Sequence, residues 1–158
     1  MRSTGLGVTY MANKTFSQCM DIIMESIKQR EHVDYSDRTS VKHFNAAYDR
    51  IFKNMQYIDT HYPDKLDLVI ELLQTSAPDF ICHCAPMFFR LKHSTYQQKL
   101  VALTAIKNVM EKDQMSPLDK LGFSESIKDW ETQLARERLQ NGGSLSISSR
   151  HPNHPSHP

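Results

Sequence analysis

Between Thr15 and His32 the apolar residues Phe16, Cys19, Met20, Ile23 and Ile27 recur at helical spacing, with Asp21, Glu25 and Lys28 on other faces. This pattern predicts a first amphipathic helix. The segment "EHVDYSDRTS" interrupts it, and Val41, Phe44, Tyr48, Ile51, Met55 and Ile58 then return every three or four residues. That spacing predicts a long second helix from about Ser40 to Thr60. In "HYPDK", Pro63 holds Tyr62 extended and Asp64 is suited to open a third helix, whose Leu66, Val69, Ile70 and Leu73 run to about Thr75. In "TSAPDF", Ser76 suits an N-cap, Pro78 falls in the first turn and Asp79 favours the positive end of the helix dipole. A fourth helix is expected from Ala77 to Leu91, kinked at Pro86, which lacks the N–H for the carbonyl of Cys82. Ser94 and Gln97 have capping-box spacing before a fifth helix buried through Leu100, Leu103, Ile106 and Met110. After "KDQMSPLDKLGFSE", with Gly122 as a turn residue at positive φ, a sixth helix is expected from Ser124, its stripe being Ile127, Trp130 and Leu134.

Past Leu139 the periodicity ends, and "NGGSLSISSRHPNHPSHP" reads as a flexible tail, because Gly, Ser and Pro bury too little apolar area to offset ordering. The expected organisation is an extension over 1–14, a helical domain over 15–139 and a tail over 140–158. Met11 is a candidate natural start. Six helices with short connections and no strand pattern give an all-α fold. Both a compact bundle and a short α-solenoid satisfy these amphipathic stripes.

The 158 residues suit one modest core. All 18 acidic residues and 16 of the 19 Lys and Arg lie between Thr15 and Leu139, so this body carries 16 minus 18, or −2. That balance argues against a phosphate-backbone binder, which needs a concentrated basic face. Three cysteines cannot form a complete disulfide framework, and a reduced, cytoplasmic protein is the simpler reading. The first residues contain no apolar signal-peptide run, and no window approaches the roughly 18 apolar residues of a membrane span.

Within "FICHCAPMFF" the Cys-His-Cys triplet invites a metal reading. At about 100° per helical residue, Cys82 and Cys84 point about 200° apart, so one tetrahedral ion cannot take both without unwinding the helix. No metal or cofactor is therefore expected. Cys84 joins Phe80, Ile81, Phe88 and Leu91 on the buried side, leaving Asp79, His83, Met87 and Arg90 as a mixed polar strip suited to a partner. Asp129, Gln133 and Arg136 on the sixth helix are candidates to extend it. Walker, dinucleotide, zinc-peptidase and nucleophile-elbow motifs do not occur. Asp64, Asp67 and Glu71 share one side of the third helix, where a solvated acidic face is the simpler account of them than acid–base chemistry. His43 and His61 are about 27 Å apart along the second helix and cannot share a site. In a polyproline II conformation the His-Pro repeats at 151, 154 and 157 would align three histidines for loose binding of Ni(II), Cu(II) or Zn(II), but a disordered or vector-derived tail is the preferred account and no function is assigned to it.

The pattern L-x-x-V-I-x-L-L-x-x-x-x-P-D-F-x-x-x-x-A from Leu66 to Ala85 resembles one HEAT repeat. Such repeats usually place Val-Arg after the acidic position, where this chain has Phe80 and Ile81. Over His43 to Trp130, the order of "NAAYDRIFKNMQYI", "LVIELLQTSAPDFICHCAPMFF", "KLVALTAIKNVM" and "LGFSESIKDW" is similar to small bacterial HEAT-like proteins, some of which resemble immunity proteins encoded beside toxins. The resemblance implies a right-handed stack of about three helix pairs, with the fourth and sixth helices offering a mildly concave face. It implies a non-enzymatic immunity or adaptor protein that occludes another protein stoichiometrically. Two other classes are retained: an enzyme or small-ligand protein using an inter-helix pocket with His43, His61 or His83, and a nucleic-acid binder like the HEAT-like DNA glycosylases.

Overall fold

The structure is a computed structural model that describes residues 13–153, with side chains described over 13–141. Among these residues the chain is all-α, with six α-helices and no strand. The helices are α1 (Phe16–Gln29), α2 (Arg38–His61), α3 (Leu66–Thr75), α4 (Pro78–Cys84), α5 (Tyr96–Glu111) and α6 (Pro117–Asn153). Two 3₁₀ segments, Pro63–Lys65 and Ala85–Phe89, precede α3 and follow α4. No helix among the described residues is long and apolar enough to cross a membrane. The side chains of the His-Pro repeats lie outside those described, as does the candidate start at Met11.

Capping chemistry sets the helix starts. Thr15 and Gln18 form a reciprocal capping box for α1, and Asp37 accepts the N–H of Thr39 to open α2. The α5 box is Thr95 with Gln98, not Ser94 with Gln97. Ser94 is occupied elsewhere, its hydroxyl donating to the carbonyls of Phe88 and Leu91. Ser76 is not the cap of α4 either, because Ala77 holds the N-cap position without a side-chain bond.

Two larger differences from the sequence pattern have local causes. The fourth helix does not continue, kinked, to Leu91; α-helix stops at Cys84 and the backbone tightens into 3₁₀ through Phe89. Pro86 removes the i→i−4 bond and its ring crowds the preceding turn, which the tighter winding accommodates. The sixth helix starts at Pro117 rather than near Ser124, with Ser116 accepting the N–H of Asp119 and Pro117 preset for a first helical position. Gly122 is thus inside a helix, no glycine among the described residues has positive φ, and the left-handed residue of the preceding turn is Asp113 at φ 55°. The α6 backbone runs on past Leu139, where the apolar pattern ends.

One apolar cluster joins all six helices, represented by Ile23, Ile51, Val69, Phe80, Ile106 and Leu134. α5 packs with Ala102, Ala105 and Val109 as well as Leu103 and Ile106, while Leu100 is 38% exposed rather than buried. Asp59, 5% exposed, accepts the N–H groups of Lys92 at 2.7 Å and His93 at 2.9 Å, tying α2 to the segment entering α5.

Candidate functional site

A cleft of about 770 Å³ opens between the end of α1 and its following loop, α2, α4 with its 3₁₀ continuation, and the first half of α6. The sequence places aromatic residues Phe44, Tyr48 and Phe52 at i, i+4 and i+8 on α2, so they lie on one face of that helix. Two guanidinium groups interleave with them. Arg30, the C-cap residue of α1, sits 3.8 Å from the Phe44 ring centre and 5.1 Å from that of Tyr48. Arg90, at the end of the 3₁₀ segment, sits 4.0 Å from the centre of the Phe52 ring and donates to the Tyr48 hydroxyl at 3.3 Å. A cation held over an aromatic face is attracted by the ring quadrupole.

The opposite wall comes from α6. Asp119, Phe123, Ser126 and Trp130 follow at i, i+4, i+7 and i+11, one helical face, and all line the cleft. The Trp130 ring stacks on Phe89 with centroids 5.1 Å apart and planes 17° apart, which fixes this wall against the core. Trp130 is therefore partly buried packing and cleft lining at once.

Asp79, His83, Met87 and Arg90 are brought together on this cleft. They do not form the exposed strip that continuous α-helix predicts, since Met87 is only 2% exposed. The 3₁₀ winding advances about 120° per residue instead of about 100°, which rotates Met87 into the core. Asp129, Gln133 and Arg136 do not line the cleft. On a helical wheel Asp129 and Arg136 fall roughly 80–100° from the Asp119–Trp130 stripe, and Gln133 bonds Glu137 at 3.4 Å. His43 and His61 lie outside the cleft, the latter packed on Tyr57 at 4.2 Å.

His83 Nδ1 is 2.7 Å from the Asp79 carbonyl oxygen, so Nδ1 carries the proton and donates, leaving Nε2 as an acceptor. Burial pulls its pKa down and Arg30 adds to this, against the Asp79 carbonyl bond and the carboxylates of Asp79 and Asp119. The imidazole is therefore neutral at pH 7. Cys82 beside it is pushed up to about 11 by burial and then by Asp119 and Asp79. It is a thiol at neutral pH and a poor nucleophile. Burial likewise raises the Cys84 thiol. Arg30 is lowered by burial, opposed by Tyr48, Tyr35 and Asp119. It stays cationic, because a guanidinium does not deprotonate in proteins. No group of three or more His, Cys, Asp or Glu among the described residues is arranged to hold a metal ion.

The apolar periodicity of α2 assigned Phe44 and Tyr48 to the core, yet Tyr48 is 36% exposed and Ala47 takes the buried position. The spacing of Phe44, Tyr48 and Phe52 was the available signal. Arg30 and Asp119 left none, since their role depends on which elements the fold brings together. No protein-family model, no curated protein and no solved structure matches this chain.

Proposed function

We propose that this chain is a non-enzymatic binding module that seats a segment of another protein in the cleft, one to one, and so withholds the covered surface of that partner. The observation that carries this reading is the composition of one open concavity, where Trp130, Tyr48, Arg30 and Arg90 lie together. Trp, Tyr and Arg are the residue types that dominate binding hot spots. The rim is accessible, with Tyr35 74% and Tyr48 36% exposed. A protonated Cys82 and a His83 bonded to a backbone carbonyl rather than a carboxylate give nucleophilic chemistry no support. Occlusion by an immunity or adaptor protein, on a HEAT-like stack of helix pairs, is the form of this function that the sequence resemblance implies.

The test is affinity capture from lysate of the source organism with the full chain, beside a charge-reversed Asp79→Lys, Arg90→Glu chain that melts normally. One protein retained at one-to-one stoichiometry by light scattering and lost with the reversed chain is the expected result. A retained set that is the same for both chains would remove the cleft from consideration.

A second reading, a small-molecule site, draws on the cleft volume, which lies within the roughly 300–1,000 Å³ typical of such pockets. A thermal shift produced by the low-mass fraction of the same lysate, with no protein captured, favours it. Glu31, Asp79 and Asp119 in the cleft outnumber its two arginines, which opposes a nucleic-acid backbone there.

A further inference from the structure

The two cleft arginines have more hydrogen-bonding capacity than the fold uses. A guanidinium has five N–H donors. Arg90 spends one, on Tyr48. The Arg30 guanidinium makes no hydrogen bond or ion pair among the described residues, and its Nε is buried without an acceptor. Neither arginine belongs to any of the ion pairs among the described residues, although Glu31, Asp79 and Asp119 line the same cleft. Ring stacking restrains each cation without occupying its N–H edges, because a π-face accepts charge and not a pair of in-plane hydrogen bonds. Both groups also meet at one residue, Arg30 over the Tyr48 ring and Arg90 at its hydroxyl.

The geometry points to a carboxylate subsite at Tyr48, in which Arg30 and Arg90 bind the side chain of an Asp or Glu in the partner segment. This assignment rests on the binding-module reading and names what that segment must carry. Planar guanidinium forks match a carboxylate in two parallel N–H···O bonds. The neighbouring acids select between oxyanions. Attraction by the two arginines and repulsion by Asp79, Asp119 and Glu31 both scale with ligand charge, so it is the surplus of acids over arginines that a phosphate of nearly two charges meets about twice as strongly as a carboxylate of one, while its bonds to the guanidinium forks are no more numerous. Beyond the carboxylate, Phe123 and Trp130 offer an aromatic wall for an apolar neighbour on the same segment.

The experiment follows the side-chain Nε–H resonances of Arg30 and Arg90 in the full chain during titration with capped glutamate, N-acetyl-glutamic acid α-amide, at fixed ionic strength. The glutamine counterpart and inorganic phosphate are parallel arms. The expected result is a saturable shift of both resonances with glutamate, at least tenfold weaker binding with glutamine or phosphate, and a similar loss in Arg30→Lys, which keeps the charge but not the fork. Arg90→Lys, at an exposed position, serves the same purpose if Arg30→Lys does not fold. Equal binding of glutamate and glutamine, tighter binding of phosphate, or no response to glutamate overturns the subsite. A protein partner still captured by the Arg30→Lys and Arg90→Lys chains would leave the binding-module reading standing while removing this carboxylate site.

Discussion

At the scale of single residues, His83 ties the cleft to pH. The charged groups that act on it are Arg30 from α1, Asp79 from α4 and Asp119 from α6, and burial outweighs them in lowering its pKa. The unfolded chain takes up this proton near pH 6.5, the folded chain only at lower pH, so between those values the unfolded state binds more protons. Stability therefore falls as pH drops through that window and levels off below the folded pKa. In a comparison of melting temperatures at about pH 7.5 and about pH 5.5, the native chain is expected to lose more than His83→Gln, which has no such proton to gain. Equal losses would show that His83 carries no linkage. The sequence named His83, Asp79 and Arg90 as neighbours because residues three or four apart share a helix face. It misplaced Met87 because the change from 3.6 to 3.0 residues per turn after Cys84 rotates each following side chain away from that face.

Whole helices were legible where the apolar spacing was regular, as in α1, α2 and α3, although Asp64, expected to open α3, lies in the 3₁₀ turn before it and Lys65 holds the N-cap position without a side-chain bond. They were less legible where two readings fit the same letters. Ser94-Gln97 and Thr95-Gln98 both have capping-box spacing, and only the folded contacts of Ser94 with Phe88 and Leu91 decide the register. Gly122 read as a turn because glycine is a common punctuator, yet Ser116 and Pro117 start α6 five residues earlier. This position yields a direct prediction. Gly122 has no positive φ, it is exposed, and an added Cβ would meet nothing within 4 Å. Gly122→Ala removes backbone freedom from the unfolded chain at no steric cost, and is expected to stabilise by about 0.5–1 kcal/mol. A denaturant titration showing unchanged or lower stability would mean that α6 does not pass through this position as a regular helix.

In the whole molecule, the cleft exists because long-range ties hold its walls. Asp59 fixes α2 to the chain entering α5 through two backbone N–H groups. Asp59→Asn keeps one acceptor and turns an amide donor toward the second N–H, so a loss of about 1–3 kcal/mol is expected in chemical denaturation. The α6 wall is fixed farther along, by Leu134 in the core, by Lys99 to Glu137 at 2.9 Å with Lys99 largely covered, and by Trp130 on Phe89. Its first half, carrying Asp119 and Phe123, overhangs the cleft. Trp130 therefore serves both the attachment and the lining, and two substitutions separate these roles. Trp130→Ala loses the stack and part of the buried surface, and is expected to cost ~2–3 kcal/mol, below the ~3–5 kcal/mol of a fully buried aromatic. Trp130→Phe retains a ring to stack on Phe89, so most of that stability should return. If α6 is docked through this contact, the denaturation midpoint drops with Ala and recovers with Phe. A midpoint unmoved by Ala would mean that Trp130 only faces the cleft and that Leu134 and Lys99 suffice to hold the wall.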